Sequence, residues 1–589
     1  MSRGIIKFNI WSRKHIQADH LLTVLSVIVG LLSGIGAVII KNAVHLIQSL
    51  IHNNIPTDVN NYWYFVFPAI GIFLAIIFMK YILRQKVGHG IPSVLYAISK
   101  NRGVMKIHDT FSSIITSALT VGFGGSAGLE GPTVATGGAI GANFAKLFHL
   151  TKREKALLLG CASAAAMSAI FKSPIAGVVF ALEVIMIDLT TRSVTPILFA
   201  SLTGYLTSFW FWGGDVLYPF TLTSDFAIDE VPYYIGLGIF TGLMAVHFTR
   251  TYVFTNTVFD KLTKQRYKFI IGAFLLGGLI FIFPSLYGEG YESINMSLNG
   301  DYSYLFKNSL FENFQDNIIV IIALFFSVIM LKSIATALTF NAGGIGGIFA
   351  PTLFIGANSG LFFAKITDYF NIAKISPSNS ALVAMAGLIA GVLHAPLTGI
   401  FLISEITHGY GLFMPIMIVA GISYVTVRIF EKNNVYTIQL AKRGELMTHH
   451  ADQNLLMQMN VNDILETNFA QINPSDTLGQ LVKEISTSNC NTYPIVNQEG
   501  VFLGSVSLDR IRKIMFDTSQ YEKTTVIELM EFPRVTADKN DTMETIATKI
   551  QKSSEFNIVV LDGDKYVGYI SRANLFSRYR SMLKEVSEY

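Results

Sequence analysis

The stretch PIAGVVFALE, Pro174 to Glu183, occurs a second time as PLTGIFLISE, Pro396 to Glu405, with Pro174, Gly177 and Glu183 each matched 222 residues later. Outward from it, GGSAGLEGP (Gly124 to Pro132) is matched by GGIGGIFAP (Gly343 to Pro351) at an offset of 219. Two motifs at nearly one offset mean that a single unit has been duplicated. Both copies sit in apolar surroundings and both are broken by glycine. In a membrane protein, glycine-broken segments at corresponding places of two halves put a substrate site where the halves meet.

The composition supports a membrane setting. Of 589 residues 51% are hydrophobic and only 14% charged, where a soluble domain carries roughly a quarter charged; the mean hydropathy is +0.47. Apolar runs recur over Leu21 to Ile40, Tyr62 to Leu83, Pro196 to Trp212, Phe269 to Phe283, Ile318 to Leu331 and Phe413 to Val427. Several approach the roughly 20 residues that span a hydrocarbon core. Others are shorter and glycine-broken, which lipid tolerates only where the freed backbone lines a cavity or is covered by neighbouring helices. Arg3, Lys7, Arg13 and Lys14 precede the first run, and no small-residue cleavage site follows. We therefore expect residues 1–20 to be a cytoplasmic segment and the first run to be a retained helix. Cys161 and Cys490 are far apart in unlike segments, so neither a disulfide framework nor a cysteine metal cluster is expected. The net charge of +4 is dispersed and does not indicate nucleic-acid binding. No HExxH, nucleophile elbow or phosphate-binding loop points to an enzyme.

Both members of the second motif end in x-Pro and run into a helical pattern, TVATGGAIGANFAKLF after Pro132 and TLFIGANSGLFF after Pro351. Glycines followed by an early proline mark a helix start. Such a start carries unpaired N–H groups and about half a positive charge. Two of them aimed at the bilayer midplane would bind an anion without a buried lysine or arginine. GHGIP, Gly88 to Pro92, has the same grammar and is a third candidate start. The residues at these starts are Gly90 and Ile91, then Leu129, Glu130 and Gly131, then Ile348, Phe349 and Ala350.

The order GHGIP, GLEGP, GIFAP and then Tyr436 near the end of the apolar half resembles the CLC family of chloride channels and chloride/proton antiporters, over residues 21–440. The resemblance implies an all-α polytopic membrane fold built from two inverted repeats of broken, tilted helices. It also implies a homodimer with one pore per subunit, lying among membrane lipid in the plasma or inner membrane. In that family the glutamate of GxEGP is the gate, which gives the role to Glu130; a carboxylate at a helix start competes with the permeant anion, and protonation removes its claim. The central anion site uses backbone N–H groups matching Ile348 and Phe349 and a tyrosine hydroxyl matching Tyr436. Three positions depart from the pattern. His89 replaces the usual serine; an imidazole can still donate, and adds positive charge when protonated. Leu129 replaces the arginine before the gate. Val184 stands where proton-coupled members carry an internal glutamate, and valine cannot relay a proton. Glu183 and Glu405 read as a structural pair common to both repeats. The expected function is chloride or small-anion transport gated by Glu130, read as passive conduction gated by voltage or pH. Chloride/proton exchange is the alternative, and a CBS-regulated divalent cation transporter comes from another class. His89 leaves chloride against fluoride or nitrate open.

After about Leu440 the chain becomes charged, with a linker expected over 441–459. Asn491 to Arg512 and Phe556 to Phe576 share one plan: strand, turn, strand, then a serine before a helix. Each follows a helical stretch, Leu478 to Ile485 or Met543 to Ile550. This half resembles a pair of cystathionine-β-synthase (CBS) domains, expected over 460–520 and 521–589 as a cytoplasmic α/β appendage. No cofactor is required. An adenine nucleotide is what the resemblance would allow, but the acid that closes its ribose contact is Arg510 after Ser507 and Asn574 after Ser571.

Overall fold

The computed structural model describes residues 18–54, 62–85, 87, 88, 90–99, 101, 103–187, 190–214, 226–407, 410–438, 459–488, 490–553 and 555–587. The chain divides into two compact units, residues 1–446 and 447–589.

The first unit is helical, and among the described residues its helices fall into two sets of eight. The first set is α1 (Ala18–Asn54), α2 (Tyr62–Ile77), α3 (Ile91–Ser99), α4 (Asp109–Gly122), α5 (Glu130–Leu147), α6 (Lys152–Phe171), α7 (Pro174–Glu183) and α8 (Thr191–Trp212). The second is α9 (Val231–Asp260), α10 (Gln265–Ile282), α11 (Tyr291–Leu298), α12 (Ile318–Ala342), α13 (Phe349–Tyr369), α14 (Pro377–Leu393), α15 (Pro396–Thr407) and α16 (Phe413–Phe430). Among the described residues nine helices are long and apolar enough to cross a membrane. α7, at 10 residues, and α15, at 12, are too short to do so, and α3 and α11 are shorter still.

Local signals set the ends. Pro174, Pro377 and Pro396 open their helices, where a missing N–H costs nothing. Thr151 and Glu154 form a capping box on α6, and the Asn317 side chain accepts from Ile319 and Val320 to start α12. α5, α6, α13 and α14 are buried along nearly their whole length, and small residues let them approach closely. α1 packs on α6 and α8 as α9 packs on α14 and α16, so each half has the same internal arrangement.

The halves meet through reciprocal bonds between counterpart residues. Gly128 N donates to Gly347 O at 2.8 Å and Gly347 N to Gly128 O at 2.7 Å. Ser126 N donates to Thr339 Oγ1 and Ile345 N to Thr120 Oγ1, both at 3.1 Å. In every case the partners exchange roles at the offset of 219, which is what a local two-fold relation requires.

The second unit holds two α/β motifs. α17 (Leu478–Thr487) precedes the antiparallel pair β1 (Thr492–Val496) and β2 (Phe502–Ser507), which leads into α18 (Leu508–Ile511) and then α19 (Val526–Leu529). In the second motif β3 (Thr536–Asp538) runs parallel to β4 (Asn557–Asp562), with α20 (Met543–Ser553) as the crossover. β4 pairs antiparallel with β5 (Lys565–Ser571), and α21 (Arg572–Ser587) follows. The strand-turn-strand-helix plan is present twice. β3, only three residues long, has no readable alternation and was not expected. Each motif has its own apolar core, around Leu478, Tyr493 and Ile495 in the first and Ile546, Ile558 and Ile570 in the second.

Candidate functional site

Three helix starts converge at the centre of the first unit. A methyl group on Gly131 would stand 3.1 Å from Gly347 Cα, and one on Gly90 would stand 3.0 Å from the Gly131 carbonyl carbon. A Cβ at either place would crowd the facing backbone, and Gly90, at φ +57, holds a left-handed conformation that glycine adopts without strain. The starts of α5 and α13 are built alike. Thr133 donates through both its N–H (3.0 Å) and its hydroxyl (2.8 Å) to Leu129 O, and Thr352 does the same to Ile348 O at the same two distances.

Glu130 is the first residue of α5 and is fully buried. Its carboxylate accepts from the Tyr291 hydroxyl and, at 3.4 Å, from Ala350 N at the start of α13. One carboxylate thus takes an N–H group of the opposite helix start, a place with the chemistry to hold an anion. Ile348 and Phe349 are buried beside it, with the Phe349 ring 5.3 Å from that of Phe171. Leu129, 2% exposed, adds no charge. Tyr436 lies after α16, where Asn434 bonds Leu393 O and accepts from Tyr436 N. It is buried, and its hydroxyl has no hydrogen-bond partner among the described residues. Gly90 and Ile91 begin α3. His89 lies outside the described residues.

Glu183 and Glu405 are away from this centre and cap each other's repeat. Glu183 accepts from Leu397 N (3.0 Å), Thr398 N (2.7 Å) and Thr398 Oγ1 (2.7 Å) at the start of α15. Glu405 accepts from Ile175 N (3.0 Å), Ala176 N (2.9 Å) and the Ser173 hydroxyl at the start of α7. Val184 follows α7 and is 1% exposed.

Three polar residues near the centre were not singled out from the sequence. Tyr291 opens α11 and touches Glu130. Glu289, in the preceding turn, feels the charges of Glu130, Lys41 and Lys332. Lys332, on α12, is fully buried. Its ammonium donates to Leu286 O at 3.1 Å and Gly288 O at 3.0 Å, so it serves the turn and makes no bond to the helix starts. The available signal was the spacing G-x-G before a short helix at Gly88 and again at Gly288, an offset of 200.

In the second unit Glu466 accepts from Ser571 Oγ (2.5 Å) and Asn574 Nδ2 (2.7 Å), and Arg510 is paired with Glu531. Of the sequence-predicted ribose positions, Arg510, Ser571 and Asn574 are therefore engaged with carboxylates of the protein.

The family model described as voltage gated chloride channel matches residues 70–428, and the CBS domain model matches residues 461–517 and 526–581. The H(+)/Cl(-) exchange transporter ClcA of Vibrio cholerae is 26% identical over 430 residues, covering 70% of this chain and 87% of its own. Among solved structures, that of a eukaryotic CLC transporter superposes with a TM-score of 0.61 at 18% identity, over 95% of this chain and 99% of its own. A slow cyanobacterial Cl-/H+ antiporter superposes with a TM-score of 0.60 at 23% identity, over 72% of this chain and 97% of its own.

Proposed function

The chain belongs to the voltage gated chloride channel family, and from that premise we propose that it carries chloride, or another small anion, across a membrane along a path gated by Glu130. The observation that supports this is the seat of the Glu130 carboxylate between the starts of α5 and α13, where it accepts from Ala350 N. An ionised carboxylate there occupies an N–H group that a permeant anion needs. A protonated one has no charge with which to compete, so acid frees the seat. A single group then alternates between holding the anion path closed and holding a proton.

That alternation links anion movement to protons, and we read the transport as chloride/proton exchange, the activity named for the ClcA relative. A second reading, passive conduction, is favoured by Val184. Its buried isopropyl group offers no proton a place to bind at the position where coupled members carry an acid.

Chloride efflux from proteoliposomes, followed against pH, tests the gate. Wild type should be activated by acid, and Glu130→Gln, which mimics the protonated form without charge, should run nearly independently of pH. A Glu130→Gln variant with wild-type pH dependence would mean that another group gates the path.

A further inference from the structure

The turn that opens α11 repeats the turn that opens α3. Gly288-Glu289-Gly290-Tyr291 stands 200 residues after Gly88-His89-Gly90-Ile91, and each runs into a short helix. The second glycine of each is left-handed, φ +57 at Gly90 and +86 at Gly290. Each is also pressed against a long broken helix, Gly90 on Gly131 of α5 and Gly290 on Phe354 of α13. The two turns therefore hold equivalent places on either side of the two-fold relation, and the second brings Tyr291 to Glu130. Symmetry does not demand that contact. The counterpart of Tyr291 is Ile91 and that of Glu130 is Phe349, so the polar pair exists on one side alone.

The turn is firmly held. Lys332 Nζ bonds Leu286 O and Gly288 O and lies 4.8 Å over the Phe354 ring. Gly288 N donates to Gly124 O at 3.0 Å, and the Tyr287 ring meets Tyr64 edge-on at 5.2 Å. The hydroxyl of Tyr291 thus reaches the carboxylate from a frame anchored on α12 and on the strand of glycines before α5.

We infer that Tyr291 is a latch on the gate: a positioning residue whose hydroxyl holds the ionised Glu130 carboxylate in its seat and sets how much acid is needed to release it. This rests on the reading of Glu130 as the gate. A hydroxyl that donates to a carboxylate favours the charged form over the protonated one. Without it the carboxylate keeps the Ala350 N–H but gives up its seat more readily. Other charged or titratable groups face the same carboxylate: Lys41 from α1, Glu289 from the turn itself and Tyr436 from the segment after α16, with Lys332 behind Glu289. They are unchanged between variants, so the difference in acid midpoint isolates the hydroxyl.

The experiment is proteoliposome chloride flux against pH for wild type, Tyr291→Phe, Glu130→Gln and the double variant. Tyr291→Phe should stay active with its acid-activation midpoint raised by roughly one to two pH units, the worth of a hydrogen bond to a charged group. In the Glu130→Gln background the same substitution should leave the pH profile unchanged, because no charge remains to be held. Tyr291→Leu, which also lacks the hydroxyl, serves if the phenylalanine variant does not fold. Either hydroxyl-free variant showing the wild-type midpoint, beside a pH-independent Glu130→Gln, overturns the latch and leaves the gate standing. A Glu130→Gln variant that keeps wild-type pH dependence removes the gate and the latch together.

Discussion

Glu183 and Glu405 are the residues in which the duplication is most plainly read, because each closes a helix of the other half with three hydrogen bonds. A carboxylate at a helix start answers N–H groups that have no intrahelical partner and meets the positive end of the helix dipole. Glu405→Ala should therefore leave Ile175 N, Ala176 N and the Ser173 hydroxyl without their acceptor, at a cost of about 2–4 kcal/mol. Glu405→Gln, which keeps a neutral acceptor, should cost roughly half as much, and the Glu183 variants should behave in the same way. Thermal unfolding in detergent measures these losses, with chloride flux per folded molecule near wild type; a variant of full stability that has lost flux would make the pair functional instead of structural. Matching acids at a fixed offset were legible in the sequence as a structural pair. That each serves the opposite repeat was not, since an offset says which residues correspond and nothing about which ones touch. Glu130 stood out as a lone acid in a glycine-rich apolar setting, whereas Tyr291 and Glu289 did not, because an aromatic and an acid beside two glycines resemble any loop before a short helix.

At the scale of elements, the proposed anion seat is made by where α3, α5 and α13 begin. Proline is the second residue of α3 and the third of both α5 and α13, so the glycine-then-proline grammar located all three starts to the residue or nearly so. The distance between starts is set by glycines whose role is visible only in three dimensions. A methyl group on Gly347 would stand 2.8 Å from Gly131 N, backbone against backbone, with no flexible side chain to yield. Overpacking of this kind costs about 1–3 kcal/mol. If the strain is relieved by moving the two starts apart, Gly347→Ala should weaken chloride binding by roughly tenfold, as about 1.4 kcal/mol implies. Titration calorimetry with chloride measures the effect, and Gly421→Ala on α16 is the control, because nothing lies within 4 Å of the methyl it would add. Equal affinities in the two variants would show that the seat does not depend on this approach. The short strand β3 and the tie from Lys332 to the turn at Gly288 were illegible for a related reason: both depend on backbone atoms far away in sequence, whose identity leaves no trace in the local pattern.

Across the whole molecule, the two halves agree in helix order and in their reciprocal bonds but differ in charge. Glu130 stands opposite Phe349, and the latch residue Tyr291 stands opposite Ile91. On the exchange reading proposed above, with Glu130 as the gating acid on one side of the two-fold relation, protons would reach it by unlike routes from the two faces. Val184 bears on the route from the far side, since a buried valine can neither hold nor pass a proton, and a coupled mechanism must then use bound water or groups elsewhere along the path. The expected outcome, on the exchange reading, is seen in proteoliposomes with a chloride gradient and a clamped membrane potential, monitoring internal pH while chloride moves. A chloride gradient should drive protons against their own gradient, and the potential of zero flux should lie away from the chloride Nernst value. Val184→Glu should then alter the coupling ratio little, because the working route already bypasses that position. If flux vanishes at the chloride Nernst potential and no proton moves uphill, the path is passive. In that case Glu130 only opens and closes it, and introducing the acid at position 184 becomes the way to ask whether this scaffold lacks coupling for want of that single group.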